Sequence, residues 1–111
     1  MNKVILIGRL TKDVELKYTQ SGSAVANVTV AVDRYSKEGD KSADFINVVV
    51  WNKSAENLAQ YKGKGDQIAV EGSLQTRSYE AQDGSKRYVT EVLASRIEFI
   101  GNKSDGSKKA T

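Results

Sequence analysis

Apolar and polar residues alternate over most of the chain, which predicts a protein built mainly of β-strands. The alternation is clearest over residues 24–34, where every second side chain from Ala24 to Val32 is apolar, as in a strand that buries one face. Residues 44–52, DFINVVVWN, have the same period. Their expected inward face carries Ile46, Val48 and Val50.

The opposite face of residues 44–52 is unusual for a surface that is expected to meet water. Phe45 and Trp51 lie on either side of the amide of Asn47, and Val49 also lies on this face. A core-forming face opposite an aromatic, solvent-facing one suggests a surface on which nucleic-acid bases stack.

Between residues 54 and 65 the period changes from that of a strand to that of a helix. Ser54 is the expected N-cap, Ala55 and Leu58 follow on one helical face, and residues 62–65, KGKG, end the helix. Two to three turns of helix would not be stable alone.

The other strands are expected on both sides of this helix. Gly72 predicts a bulge or bend, residues 83–84, DG, predict a hairpin turn, and Leu74 and Phe99 are placed on inward faces. The first strand is apolar on both faces, so it is expected to be buried twice, in a barrel wall or against a partner subunit. The predicted strands are residues 2–10, 14–18, 66–80, 87–94 and 96–100.

Strands on both sides of one short helix, without a βαβ repeat, predict an all-β fold. A five-stranded Greek-key barrel with one short helix between its third and fourth strands is the OB-fold, which binds oligonucleotides on one face. The length of 111 residues suits a single domain. We predict that residues 1–101 form this domain and that residues 102–111 form a short disordered basic tail.

The composition excludes several classes of activity. The chain has no cysteine and no histidine, which removes disulfides, thiolate nucleophiles, the Ser-His and Cys-His catalytic arrangements and nearly all transition-metal sites. The acidic residues are scattered singly, which argues against a metal-dependent nuclease. We therefore predict a protein that is not an enzyme and that needs no metal or other cofactor.

Hydropathy does not indicate a membrane protein. The longest apolar run is far short of the roughly 20 residues needed to span a bilayer, and MNKVILIGRL at the start does not resemble a signal peptide, so a cytoplasmic location is expected. The formal charge of +3 gives little support for a polyanionic partner, because residues 101–111 carry a net +2 and the rest only +1. Electrostatic attraction must depend on where the basic residues lie.

Aromatic and basic residues are interleaved near positions expected to face solvent. This arrangement suits sequence-tolerant binding of a single strand, because each stacked base contributes about 1–3 kcal/mol while cations follow the phosphates. Affinity is then expected to fall with added salt. The aromatics are Phe45, Trp51, Tyr79 and Tyr35, and the cations beside them are Arg34, Lys53 and Arg77.

Some of these features also have a plainer interpretation. A single exposed aromatic on a strand often packs against its cross-strand neighbour, and Tyr61 and Tyr88 are assigned to the core or its rim. Lys3, Lys62 and Lys64, taken one at a time, are ordinary solvated charges.

Several segments, in this order, resemble the bacterial and phage single-stranded DNA-binding proteins. They are MNKVILIGRLTKD, SGSAVANVTVAV, DFINVVVW, AENLAQYKGKG, VEGSLQTRSY and RYVTEV. The resemblance implies an OB-fold subunit of a homotetramer, located at the nucleoid. Such a protein coats single-stranded DNA in replication, recombination and repair, without catalysis.

The resemblance also assigns roles to individual residues. It implies stacking aromatics and, along the DNA path, a set of cations. The stacking aromatics are Phe45, Trp51 and Tyr79, and the cations are Lys3, Lys53, Lys64 and Arg77. Arg34 and Tyr35 complete the expected site at positions where the family is more variable.

The chain departs from the family pattern in two ways. Relatives commonly have tryptophan at one or more platform positions, where this chain has Phe45 and Tyr79, so stacking on each base is expected to be weaker. The family's long tail ends in an acidic, hydrophobic-tipped peptide that recruits partner enzymes, whereas this chain ends in SDGSKKAT. Truncation and a phage or plasmid origin both explain such an ending. Replication and repair proteins remain candidate partners, although this ending has no acidic docking peptide.

Single-stranded DNA is therefore the predicted partner, bound without sequence preference. The alternative is an OB-fold adaptor of a replication or primosome complex, whose barrel face binds another protein. A dimer is the alternative to the tetramer, since either would cover the doubly apolar first strand. RNA is an alternative ligand, because stacking does not distinguish the two sugars.

Overall fold

A computed structural model describes residues 1–34 and 42–101 of the chain. Within these ranges the chain forms six strands and one helix. The strands are β1 (Val4–Leu10), β2 (Leu16–Tyr18), β3 (Ala24–Arg34), β4 (Ser42–Trp51), β5 (Gln67–Glu80) and β6 (Lys86–Phe99), and the helix, α1 (Asn52–Tyr61), lies between β4 and β5.

The strands form one sheet that closes on itself. Their order is β1-β5-β6-β4-β3-β2, and β1 also pairs with β3, where Leu10 lies opposite Val30. All pairs are antiparallel except β4 with β6, which are parallel at Val48 and Val92. Counting β1 and β2 as one interrupted strand gives a closed five-stranded barrel with its helix between the third and fourth strands. The predicted all-β architecture is thus confirmed.

The core follows the predicted inward faces of β3 and β4. Alternate residues of both strands are buried, and Ala55 and Leu58 of α1 pack against them with no exposed surface. The core residues are Leu10, Ala24, Ala26, Val28, Val30, Val48, Val50, Ala55, Leu58, Ile68, Val70 and Val92.

The helix begins earlier than predicted, and Ser54 is not its N-cap. Trp51 occupies the capping position in an extended conformation and makes no side-chain capping hydrogen bond. Asn52 follows with a φ of 61°, a left-handed conformation that asparagine adopts more readily than most residues. This single residue turns the chain from β4 directly into α1, so no polar spacer precedes the helix.

The two predicted strands at residues 87–94 and 96–100 are one strand, β6, because a bulge accommodates the irregularity between them. Glu71 lies opposite Arg96, but Gly72 lies opposite Ala94, and the skipped Ser95 donates a hydrogen bond from its Oγ to the carbonyl oxygen of Glu71. Gly72 is required here, since a Cβ would lie 2.1 Å from the carbonyl oxygen of Leu93. The predicted bulge is confirmed.

Four large side chains are more exposed than predicted. Leu74 and Phe99 were expected to face inward and are exposed, as are Tyr61 and Tyr88. Leu74 lies where β5 and β6 extend beyond the barrel as a hairpin. Phe99 is the last residue of β6 and packs against the ring of Tyr61, with 6.3 Å between the ring centroids.

The first strand is buried on one face only within the single subunit. Val4 and Leu6 pack against the core, whereas Ile5 and Ile7 are 67% and 53% exposed on the outer face. No helix among the described residues is long and apolar enough to cross a membrane.

Candidate nucleic-acid interface

The outer face of β4 presents two aromatic rings, one at Phe45 in its first half and one at Trp51, its last residue. Phe45 is 66% exposed and Trp51 is 39% exposed. Six residues separate them along the strand, which corresponds to about 20 Å. Val49 between them is buried, and β6 pairs with β4 at Val48 and Val49. The predicted aromatic face is therefore two separate ring surfaces, and not one continuous platform.

A polar pair lies between Phe45 and Val49 on this face. Asn47 lies opposite Thr29 of β3 in the antiparallel register, and the Thr29 Oγ1 donates a hydrogen bond of 3.3 Å to the Asn47 Oδ1. Because its oxygen accepts this bond, the amide of Asn47 keeps its N–H donors for a ligand.

An open groove of about 550 Å³ begins at this polar pair. Its volume lies in the range of sites that hold small organic groups. One wall is formed by β3 and β4, the other by the β5–β6 hairpin, and Lys12 of the β1–β2 loop lies at its side. The polar and aromatic lining residues are Lys12, Asn27, Thr29, Asn47, Arg77, Tyr79 and Glu91.

The hairpin contributes a ring and a cation to the groove. Arg77 and Tyr79 lie two residues apart on β5, so their side chains leave the same face of the strand. Tyr79 is exposed, and the Arg77 Nε donates a hydrogen bond of 3.0 Å to the Glu91 Oε2. Two of the predicted site residues therefore meet Asn47 in a single concavity.

Three of the predicted cations have carboxylate partners. The Lys3 Nζ lies 2.8 Å from the Glu71 Oε2, and Arg77 pairs with Glu91 in the groove. The Lys3 ion pair holds the pKa of the Glu71 carboxyl below its usual value. Lys3 does not line the groove, and Glu71 lies opposite Ile5 in the β1–β5 register.

Arg34 is paired at the end of β3 that lies near Phe45. Its guanidinium donates to the Asp44 carboxylate on β4, and this hydrogen bond raises the pKa of Arg34. A phosphate that binds Arg34 must therefore compete with an existing anionic partner. Tyr35, the next predicted site residue, lies outside the described residues, as does the predicted tail of residues 102–111.

Three lysines, Lys12, Lys53 and Lys64, have no ion pair within residues 1–34 and 42–101, and of these only Lys12 lines the groove. Lys53 lies in the first turn of α1, two residues after Trp51. The backbone N–H of Lys64 donates a hydrogen bond of 2.8 Å to the Asp13 Oδ1, which brings the loop after α1 next to the loop that carries Lys12. An incoming anion would displace no carboxylate of the described residues from these ammonium groups.

Five polar residues of the groove were not predicted as part of the site, and one of them, Asn47, was expected only to face outward between Phe45 and Trp51. Asn27 and Thr29 alternate with the core residues of β3, so the sequence predicts that they point outward. Their position beside particular residues of β4 depends on the β3–β4 register, which the sequence does not give. Lys12 has no distinguishing pattern around it. Glu91 is a single acidic residue in an apolar stretch, and its contact with Arg77 depends on the pairing of β5 with β6.

No group of three or more acidic, histidine or cysteine side chains in the described part of the chain could hold a metal ion. The site is thus an open, mixed aromatic and cationic surface. Such a surface can stack planar bases and contact phosphates.

Comparisons with known proteins identify relatives over nearly the whole chain. The model of the single-strand binding protein family matches residues 1–100. The chain is 58% identical over 102 residues to single-stranded DNA-binding protein 3 of Clostridium acetobutylicum, covering 90% of this chain and 71% of that protein. It is 58% identical over 113 residues to the single-stranded DNA-binding protein of Clostridium tetani, covering 97% and 78%. For the protein of the same name from Bacillus cereus, the identity is 52% over 111 residues, covering 98% and 65%.

Proposed function

The chain belongs to the single-strand binding protein family, and from this membership we infer that it binds single-stranded DNA. The resemblance seen in the sequence motifs is confirmed. We propose that binding is independent of sequence and serves to coat and protect single strands in replication, recombination and repair. The observation that supports this proposal best is the groove in which Arg77, Tyr79 and Asn47 meet, beside the exposed rings of β4.

The bases are proposed to stack on Phe45, Trp51 and Tyr79. All three side chains expose ring surface to solvent, and every base has a π-face, so stacking contributes about 1–3 kcal/mol per base without selecting among them. Tyr35 is included in the proposed set from its sequence position alone.

The phosphates are proposed to contact the cations around the groove. Among the residues that the structure describes, Lys53 and Lys64 have no carboxylate partner to give up. Lys12 joins them as a contact that the sequence did not indicate. Lys3 and Arg34 must exchange a carboxylate for a phosphate, so their contribution is expected to be smaller. Arg77 is treated separately below, because its partner is buried.

The proposal also covers the rest of the chain. Residues 1–101 are proposed to be the binding domain and residues 102–111 a tail, in a protein that acts in the cytoplasm at the nucleoid. The proteins of this family are binding proteins. We further propose that this member acts without catalysis and needs no metal.

The outer face of β1 supports a proposal of self-association into a homotetramer. Ile5 and Ile7 are exposed there beside Ala69 of β5, which lies opposite Ile7. Within the described chain, residues 4–8 pair with β5 on one edge and have no strand on the other. An exposed apolar strand with a free backbone edge is a surface that a second copy can cover.

The binding proposal is tested by the fluorescence of Trp51, the single tryptophan of the chain. Adding oligo(dT) should quench this fluorescence even when there are fewer DNA molecules than protein subunits, whereas a duplex of the same length should leave the fluorescence nearly unchanged. Equal responses to both, or no response to either, would contradict the proposed stacking surface.

The assembly is tested by replacing Ile5 with lysine and measuring the mass by light scattering. The variant should be smaller than the wild-type protein, because a buried ammonium without a partner opposes association. Leu74→Lys is the matched control, since Leu74 is also exposed but lies on the hairpin. A wild-type protein that is already monomeric would contradict the proposal.

A further inference from the structure

Glu91 is the one charged side chain that is buried among the residues which the structure describes, and it lies at the proposed DNA groove. It is 4% exposed. Its Oε2 accepts two hydrogen bonds, one of 3.1 Å from the Gln75 Nε2 and one of 3.0 Å from the Arg77 Nε. A carboxylate at a polyanion site needs an explanation, because its charge repels phosphates.

The geometry of the Arg77 contact suggests that explanation. Arginine has five N–H donors, and Glu91 engages the one on Nε. The four donors on the two terminal nitrogens are left, and the Arg77 side chain is 56% exposed whereas that of Glu91 is 5% exposed. The carboxylate thus lies beneath the guanidinium, which itself meets the solvent.

We propose that Glu91 is a positioning residue that acts through Arg77. It holds the guanidinium by Nε so that the terminal nitrogens point at a phosphate in the groove, and Gln75 fixes the carboxylate by a second hydrogen bond to the same oxygen. This inference deepens the proposed function and rests on it. It predicts that a negative charge in the groove strengthens the binding of a polyanion.

The sign of the effect of Glu91→Gln separates positioning from simple charge. Removing a negative charge raises affinity for DNA if only the Coulomb attraction matters. If Glu91 positions Arg77, the neutral amide holds Nε more weakly, and affinity for oligo(dT) should fall about fivefold. Glu80→Gln is the matched control, since it removes the same charge from the same hairpin at an exposed position. Its affinity should be unchanged or slightly higher.

Coupling to Arg77 is the second measurement, because a merely structural role would not produce it. Arg77→Ala should weaken binding of the wild-type protein about tenfold or more, and should cost about fivefold less in the Glu91→Gln background. Equal losses in both backgrounds, or a Glu91→Gln variant that binds as tightly as wild type, would overturn the inference.

Arg77→Lys keeps the proposal testable if the Glu91 variant fails to fold. A lysine keeps the charge but has one nitrogen, which cannot hold Glu91 and a phosphate with separate atoms. The variant should bind nearly as weakly as Arg77→Ala, and wild-type affinity would overturn the inference. Failure of the wild-type protein to bind oligo(dT) at all would refute the proposed function itself, which is a distinct result.

Discussion

Replacing Phe45 with alanine is the clearest test of base stacking on this barrel. The side chain is 66% exposed and lies opposite Ala31, a small residue, in the β3–β4 register. The ring therefore contributes little to the core. Trp51 is more deeply packed, so its removal would mix effects on folding and on binding.

The expected effects on affinity and on stability differ in size. Loss of one stacked base costs about 1–3 kcal/mol, which raises the Kd for oligo(dT) about fivefold to 150-fold. Complete burial of a phenylalanine contributes about 1.5–3 kcal/mol, so the buried third of Phe45 contributes at most about 1 kcal/mol to stability. The loss of binding free energy should thus exceed the loss of unfolding free energy.

The assay is a fluorescence titration with oligo(dT) at several salt concentrations, for which Trp51 remains as the reporter. The slope of log affinity against log salt should not change, because no cation is removed. Tyr61→Ala is the control. Tyr61 is also exposed but packs against Phe99, away from the groove, so its loss should leave DNA affinity unchanged.

The reasoning would be refuted if Phe45→Ala bound oligo(dT) within twofold of the wild-type protein. It would also be refuted if affinity fell only together with the salt slope, since that would indicate lost phosphate contacts. A loss of affinity shared equally by Tyr61→Ala would point to a general effect of removing exposed rings.

Three further changes test other parts of the structure. Lys64→Ala should reduce the salt slope by about 0.7, as expected for one lost phosphate contact on a single strand, and an unchanged slope would remove Lys64 from the DNA path. Gly72→Ala should lower the free energy of unfolding by roughly 1–3 kcal/mol or more, because the new Cβ meets the Leu93 carbonyl oxygen; chemical denaturation measures this, and wild-type stability would contradict the tight bulge. Lys3→Ala should return the pKa of Glu71 towards its usual value, which NMR titration reads directly. Because the Glu71 pKa is lowered in the folded protein, the ion pair stabilises the fold at pH values above the usual glutamate pKa. This stabilisation is lost as the pH falls through the lowered pKa. The Lys3→Ala variant should therefore lose this dependence of stability on acid pH.

Strand positions were predictable because the period of two is a local property of an extended backbone. The bounds predicted for β3 agree with the structure, and the inward faces of β3 and β4 are buried except at Val32 and Ile46, which are partly buried. The bulge at Gly72 was also predictable, since glycine within a strand marks a close approach of another backbone. Local pattern failed where one residue decides a boundary: the left-handed Asn52 starts the helix without a polar cap.

The sequence by itself determined the barrel, its buried faces and the aromatic residues available for stacking. Tertiary structure decided which of those groups share a site. The buried Val49 divides the aromatic face of β4 in two, and the β5–β6 register places Glu91 opposite Gln75 and within hydrogen-bond distance of Arg77. The carboxylates that pair with Lys3, Arg34 and Arg77 come from other strands, so no local spacing predicts them. Alternation follows from the geometry of one strand, whereas a binding surface depends on the register between several.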